Sequence, residues 1–199
     1  MKQNKLVLSL TVLLTVICMV CSAAAQQAMP TASRALELSA FGGISGDYTG
    51  FNGGKNGSLS AGVDLAFKPY YGLRPTLEAR GFYPIDKGTI VSQKAGMGGL
   101  RVDFLLGHRA RPYADFLFGR GEMDYAPPVP SFNGWQYSVS TTNVQSPGAG
   151  IDYNLTPRFA IKLDAQYQTW GSTPTASTKV HSTVGTIGVV YRFGQRAAL

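Results

Sequence analysis

Residues 158–170, RFAIKLDAQYQTW, alternate between apolar and polar side chains. The odd-numbered positions from Phe159 to Tyr167 are apolar, and Lys162, Asp164 and Gln166 stand between them. Successive side chains of a β-strand point to opposite faces. The stretch therefore predicts a strand with one face in an apolar medium and the other in a polar one.

Seven further segments carry a similar alternation. The predicted strands are Ala35–Tyr48, Asn56–Lys68, Leu73–Tyr83, Thr89–Phe104, Arg111–Tyr125, Tyr137–Tyr153, Phe159–Trp170 and Ser182–Phe193. Links after even-numbered strands are short, whereas those after odd-numbered strands are mostly longer and rich in Gly, Pro, Ser and Thr. This alternation is typical of outer-membrane barrels with both termini in the periplasm. We therefore predict an all-β fold, an eight-stranded antiparallel up-and-down transmembrane β-barrel.

The first residues predict export. Lys2 and Lys5 precede the apolar run Leu6–Val20, and the small residues Ala23–Ala25 follow it, which predicts signal-peptide cleavage between Ala25 and Gln26. The alternative is a retained helical anchor, but an anchor needs about 20 apolar residues and the run Leu6–Val20 is shorter. The predicted segments are a signal peptide (1–25), an N-terminal periplasmic segment (26–34), the barrel (35–193) and a C-terminal tail (194–199).

Composition narrows the class of protein further. After residue 25 no apolar run is long enough for a membrane helix, so a spanning chain must form a closed barrel. The net charge is +7, but there is no cluster of Lys and Arg with interleaved aromatic residues, which argues against nucleic-acid binding. We expect the basic residues near strand ends to contact anionic lipid head groups and lipopolysaccharide phosphates.

The two phases of the strands separate charge from apolar surface. The phase opposite the apolar one predicts a lumen charge network of Glu37, Asp64, Arg74, Glu78, Arg80, Arg101, Asp103, Asp115, Asp152, Lys162, Asp164 and Arg192. A soluble sandwich or lipocalin-like barrel has the same period. Aromatic residues at both strand ends favour the membrane barrel, and we assign Tyr48, Tyr83, Tyr167 and Trp170 to the girdle on the long-loop side. Phe116–Phe118 and Pro147 disturb the alternation and predict bulges or changes of phase.

Residues Gly148–Phe159, Leu163-Asp164 and Gly188–Phe193 resemble the outer membrane protein β-barrel family, of the OmpA/OmpX type. The resemblance implies a non-enzymatic barrel in the bacterial outer membrane. It also implies that Tyr191 and Phe193 form an assembly signal, read by the barrel-assembly machinery after delivery by periplasmic chaperones. The tail, residues 194–199, departs from this pattern.

Catalytic and binding motifs are weak. His181 and Ser182 suggest a lipid A deacylase, but neighbouring strand residues point to opposite faces. Neither His108 nor His181 has a second ligand at a metal-binding spacing, and we expect no metal or cofactor. In the loop 126–135, Phe132 and Trp135 are candidates either for contact with a surface ligand or for anchoring the barrel rim.

The predicted function follows from the width of the barrel. An eight-stranded barrel is just wide enough for its own side chains, so paired charges should plug the lumen. We expect a non-enzymatic protein that contributes to envelope structure or surface contact. The alternatives are a narrow pore for small solutes and a lipid A-modifying enzyme.

Overall fold

The computed structural model describes residues 36–49, 54–86, 91–105, 109–130, 136–171 and 179–193, with side chains for all of these except Val91, 125–130 and 136–138. The predicted signal peptide, N-terminal segment and tail lie outside the described residues. So do His108 and the two loop candidates, Phe132 and Trp135. No helix in the described ranges is long and apolar enough to cross a membrane.

Eight antiparallel strands form a closed barrel in which every strand pairs with its neighbours in sequence. They are β1 (Leu36–Tyr48), β2 (Lys55–Phe67), β3 (Leu73–Asp86), β4 (Val91–Phe104), β5 (Ala110–Pro130), β6 (Gln136–Asn154), β7 (Phe159–Trp170) and β8 (Val180–Arg192). The predicted fold is thus confirmed. Most strand ends agree within two residues, but β3 and β5 extend further toward the long loops than predicted.

The barrel closes where β1 pairs with β8, from Ser39 opposite Arg192 to Tyr48 opposite Thr183. Two inward-phase glycines face each other across this seam, Gly43 and Gly188. A Cβ atom on Gly188 would lie 2.6 Å from the carbonyl oxygen of Gly42. The close backbone approach therefore requires glycine at this position.

The outer wall is apolar over the predicted lipid-facing phase. Leu59 and Val63 of β2, Leu100 of β4 and Ile187 of β8 are all exposed, while their sequence neighbours point inward. On β7, Leu163 is 47% exposed and Lys162 is 0% exposed. An exposed apolar face around a buried polar interior is the reverse of a soluble barrel, and it is typical of strands that contact lipid.

The bulge predicted at Phe116–Phe118 is wrong. These residues keep a continuous register with β4 on one side and β6 on the other. Phe116 and Phe118 face outward, and Leu117 faces inward, where it is fully buried. The inner face thus accepts an apolar residue because this part of the lumen is itself apolar.

Pro147 causes no change of phase either. The β6–β7 ladder lacks pairs at Ser146 and Pro147, but the register is the same on both sides of this gap. Proline has no N–H to donate, so it interrupts the ladder locally. The register shifts occur elsewhere, between Gly57 and Ser58 in the β2–β3 pairing and between Asp124 and Val129 in the β5–β6 pairing.

Trp170 is also misplaced by the sequence prediction. Tyr48, Tyr83 and Tyr167 are exposed at the long-loop side, as expected, but Trp170 is only 1% exposed and points into the barrel. The reason is its phase, because Trp170 follows the inward residues Lys162, Asp164 and Gln166 in steps of two. It belongs to the interior rather than to the girdle.

The β5–β6 hairpin is longer than the rest of the barrel. β5 has 21 residues and β6 has 19. The last pair between β6 and β7 joins Val144 to Trp170, and β6 continues beyond it to Gln136. The hairpin therefore extends past the neighbouring strand on the long-loop side.

Candidate functional site

The inner mouth of the barrel, on the short-turn side, is organised around one carboxylate. Glu37 of β1 accepts a hydrogen bond from Arg74 Nη1 at 2.7 Å. Arg192 Nε and Arg111 Nη1 lie 3.3 and 3.7 Å from its other oxygen. Three arginines thus share the Glu37 carboxylate, and Asp64, Asp103 and Asp152 line the same recess.

Arg101 of β4 forms the next layer toward the barrel centre. Its Nε donates to Asp103 at 2.6 Å, and its Nη2 donates to Asp152 at 2.5 Å. Asp64 lies 3.4 Å from its Nη1. The guanidinium also stacks 3.6 Å from the ring centroid of Tyr113, so its face and its edges are both engaged.

Arg80 of β3 binds a second set of carboxylates. Its two Nη atoms reach Asp164 of β7 at 2.5 and 3.2 Å, and its Nε donates to Glu78 at 2.6 Å. The Tyr113 hydroxyl donates to Asp164 at 2.7 Å, and Gln166 donates to Asp115 at 3.0 Å. Bidentate pairs of this kind are among the strongest hydrogen bonds in proteins.

Lys162 lies between these two arginines and is completely buried. Its Nζ is 4.3 Å from the Phe41 ring centroid, 4.5 Å from that of Tyr113 and 3.8 Å from Glu78 Oε2. It makes no hydrogen bond with any described residue. Its positive charge is therefore held by two aromatic faces and nearby carboxylates rather than by one direct partner.

All twelve charged residues assigned to the lumen from sequence lie on the inner face, and each has a partner of opposite charge within 4.0 Å. Sequence reasoning missed Arg111, Tyr113 and Gln166. The alternation of the strands could have identified them, because Arg111 and Tyr113 share the inward phase of Asp115 on β5, and Gln166 shares that of Asp164 on β7.

The half of the lumen toward the long loops contains apolar side chains. The cluster consists of Phe82, Ala95, Met97, Leu117, Met123, Val144, Trp170 and Val184, with Val180 packed against it. Trp170 Nε1 donates to Gln168 at 3.1 Å, and its ring lies where a Cβ atom on Gly121 of β5 would stand. The indole thus fills space that glycine leaves open on the neighbouring wall.

A polar stripe runs beside this apolar cluster. Ser58 donates to Asp47 at 2.5 Å, and the hydroxyls of Ser45 and Thr186 lie 2.8 Å apart across the β1–β8 seam. None of these four residues was predicted from the sequence to have a role. The upper lumen is therefore divided into an apolar side and a hydroxyl-rich side.

The two candidate catalytic residues do not meet. His181 is exposed on the outer wall, where it stacks on Tyr167 at 5.5 Å and its Nδ1 lies 3.3 Å from Thr169 Oγ1. Ser182 is buried inside and donates to Gln93 at 3.0 Å. They lie on opposite faces of β8, as the sequence predicted. Within the described ranges, no group of three or more His, Cys, Asp or Glu residues is arranged to hold a metal ion.

A closed barrel with an apolar outer wall and a charged interior defines a transmembrane β-barrel. Residues 10–193 match the family model for the outer membrane protein beta-barrel domain. The chain therefore belongs to this family of bacterial outer membrane proteins.

Several solved structures are similar to this chain at low sequence identity. Neisserial surface protein A is 15% identical with a TM-score of 0.51, and the match covers 80% of this chain and 97% of that one. The attachment invasion locus protein of Yersinia pestis, in complex with sucrose octasulfate, is 17% identical with a TM-score of 0.46, covering 79% and 99%. OprG from Pseudomonas aeruginosa is 13% identical with a TM-score of 0.42, covering 81% and 97%. No curated protein sequence is significantly similar to this chain.

Proposed function

We propose that this protein is a non-enzymatic, non-conducting barrel that contributes to the structure of the outer membrane and contacts the surroundings through its long loops. The observation that carries the proposal is the succession of two barriers in the lumen. The first is the charge network around Arg80 and Arg101, and the second is the apolar cluster around Trp170. An ion crossing the barrel would have to disrupt the charge network, and beyond that network the apolar cluster leaves it only the hydroxyl-rich side of the lumen.

The charge network resists rearrangement. Arg80 and Arg101 each lie within 4.0 Å of several carboxylates, and their side chains are almost entirely buried. Moving one of them would leave buried charges without a partner, which typically costs about 3–5 kcal/mol. The recess at the inner mouth, beside Glu37, measures only about 20 Å³. These features support a lumen that stays closed.

Conductance across a planar lipid bilayer tests this proposal directly. We expect the wild-type protein to give no stable single-channel steps, and we expect the same of the matched outer-wall variant Tyr167→Ala. Stable, reproducible steps from folded wild-type protein would establish the narrow pore instead. The polar stripe of Asp47, Ser58, Ser45 and Thr186 is the feature that favours that alternative, so Asp47→Asn should then alter the ion selectivity.

The absence of enzymatic activity is tested on lipid A. Because His181 and Ser182 face opposite sides of β8, they form no nucleophile–base pair. We expect mass spectra of lipid A to be identical in cells with and without the protein. A change of acyl-chain or phosphate mass that depends on the protein would overturn this part of the proposal.

The proposed biogenesis and surface role concern regions at both ends of the barrel. We propose cleavage before Gln26, and recognition of Tyr191 and Phe193 by the barrel-assembly machinery. The intact mass of the mature protein tests the cleavage site. A mass that corresponds to a chain beginning at a residue other than Gln26 would contradict it. We propose that Phe132 and Trp135, in the connection between β5 and β6, contact a surface ligand. Residues 126–130, predicted from the sequence to be loop, belong to β5, and the length of β5 and β6 supports the proposal. The test compares binding of the surface ligand to whole cells that carry the wild-type protein or the double variant Phe132→Ser, Trp135→Ser. Equal binding would show that these two residues do not contact the ligand.

A further inference from the structure

A depression of about 330 Å³ opens on the outer wall across strands β3 to β6. The outward-facing residues that line it are Tyr83, Lys94, Gly96, Arg120, Glu122 and Thr141. They lie close together because Lys94 pairs with Glu122 and Gly96 pairs with Arg120 in the β4–β5 register. None of them belongs to the lumen network.

The floor of the depression is formed by glycine backbone. Gly96 of β4 pairs with Gly81 of β3 on one side and with Arg120 of β5 on the other. A Cβ atom placed on Gly96 would meet nothing within 4 Å. The space in front of this backbone is therefore open to a ligand and is not filled by a neighbouring side chain.

The depression lies at the level of the outer lipid head groups. Lys94 is ten positions from Phe104, which lies at the short-turn end of β4. With a rise of about 3.3 Å per residue and a strand tilt of about 40°, this separation corresponds to about 25 Å along the barrel axis, the height of the apolar band. Below Arg120 on β5, the outward residues Phe118 and Phe116 are apolar and exposed.

The two basic residues of the depression differ in their ion pairing within the described residues. Lys94 Nζ lies 2.7 Å from Glu122 Oε1. Arg120 is exposed, and no described residue forms an ion pair with it. Asp124 occupies the next outward position beyond Glu122, further from the apolar band. An unpaired guanidinium next to the apolar band is stabilised when it meets an anionic head group, and its planar fork fits a phosphate.

We propose that this depression binds a phosphate group of the phosphorylated glycolipid in the outer leaflet. Arg120 donates to the phosphate, and Lys94 supplies a second positive charge held in place by Glu122. Tyr83 packs beside the glycolipid head group, where aromatic side chains are favoured. Gly81 and Gly96 admit the head group because they carry no side chain.

Retention of diphosphoryl lipid A by the full-length folded protein tests the site. The protein is incorporated into phosphatidylcholine vesicles containing lipid A, extracted into mild detergent and measured by native mass spectrometry. We expect Arg120→Gln to reduce retained lipid A about tenfold, the effect of losing one charge-assisted hydrogen-bonded contact. Lys55→Gln, which removes an exposed outward charge at the long-loop end of β2, should change retention less than about twofold.

Gly96→Leu provides a second, charge-neutral variant. It should fill the depression and reduce retention to the level of Arg120→Gln, while a heat-modifiability gel shows that the barrel is folded. Equal retention by wild type, Arg120→Gln and Gly96→Leu would overturn the site. Equal retention of phosphatidylglycerol and lipid A by the wild type would overturn the assignment to a glycolipid.

Discussion

Arg80 of β3 and Asp164 of β7 join opposite walls of the barrel through two hydrogen bonds of 2.5 and 3.2 Å. The two residues are 84 positions apart in the chain. Glu78 and Asp115 approach the same guanidinium, and Tyr113 binds the same Asp164 carboxylate. This arrangement makes the lumen a cross-linked interior rather than a set of independent wall residues.

Removing Arg80 should destabilise the barrel strongly. Arg80→Ala leaves Glu78, Asp115 and Asp164 with less positive charge in a buried site, so we expect a loss of about 3–5 kcal/mol in the free energy of unfolding. Arg74→Ala, at the more accessible inner mouth, should cost clearly less. Urea-induced unfolding from lipid vesicles measures both. Similar losses for the two variants would contradict the central role of Arg80.

Charge on the outer wall should be penalised according to depth. Leu163→Arg places a cation on the lipid-facing side of β7 near its middle, and we expect a loss of about 2–4 kcal/mol in the free energy of unfolding. Tyr167→Arg lies nearer the interface and should cost about 0–1 kcal/mol. Folding titrations in the same vesicles give both values. If Tyr167→Arg were the more harmful change, the depth assigned to these residues would be wrong.

The interior position of Trp170 can be detected by fluorescence. In a Trp135→Phe background, Trp170 is the remaining tryptophan, and brominated lipid should quench it weakly because the indole is enclosed by the barrel wall. The comparison variant carries Trp135→Phe, Tyr167→Trp and Trp170→Phe. Its outward indole should be quenched strongly. Strong quenching of Trp170 would show that its indole faces lipid, as a residue of the aromatic girdle does.

The β1–β8 seam should distinguish two glycines of the same strand. Gly188→Val would drive its side chain into the backbone of Gly42 and Gly43, whereas a Cβ atom on Gly185 meets nothing within 4 Å. We therefore expect Gly188→Val to prevent closure and Gly185→Val to fold normally. The heat-modifiability gel separates folded from unfolded chains. Normal folding of Gly188→Val would show that the seam can relax.

The end of β8 should matter more than the tail that follows it. The Phe193 N–H donates to the Leu38 carbonyl at 2.9 Å, and its ring packs edge-on against Tyr191 at 5.0 Å. We expect Phe193→Ala to reduce the amount of protein in the outer membrane and deletion of residues 194–199 to leave it nearly unchanged. Quantitative membrane fractionation tests this pair. The reverse result would assign the assembly signal to the tail.

The sequence predicts the wall of the barrel well because inside and outside alternate at every residue. Leu163 and Lys162 can be assigned from this period alone. The particular ion pairs cannot, because Arg80 meets Asp164 only once register and closure have brought β3 and β7 face to face. For Trp170 and Leu117 the local pattern was sufficient, but its interpretation was wrong. Their phase correctly predicts an inward position, but the expectation of a uniformly polar lumen and an aromatic girdle conceals it.

The seam also has a kinetic consequence. Ser45 and Thr186 are hydrogen-bonded across it although 141 positions separate them, so this contact has nearly the greatest sequence separation the barrel allows. Local hairpins form early, whereas closing such a long loop is entropically costly and slow. Until β8 reaches β1, both edge strands expose unpaired backbone groups that lipid cannot satisfy. The rate of productive folding should therefore depend on how long a chaperone or assembly factor protects these two edges.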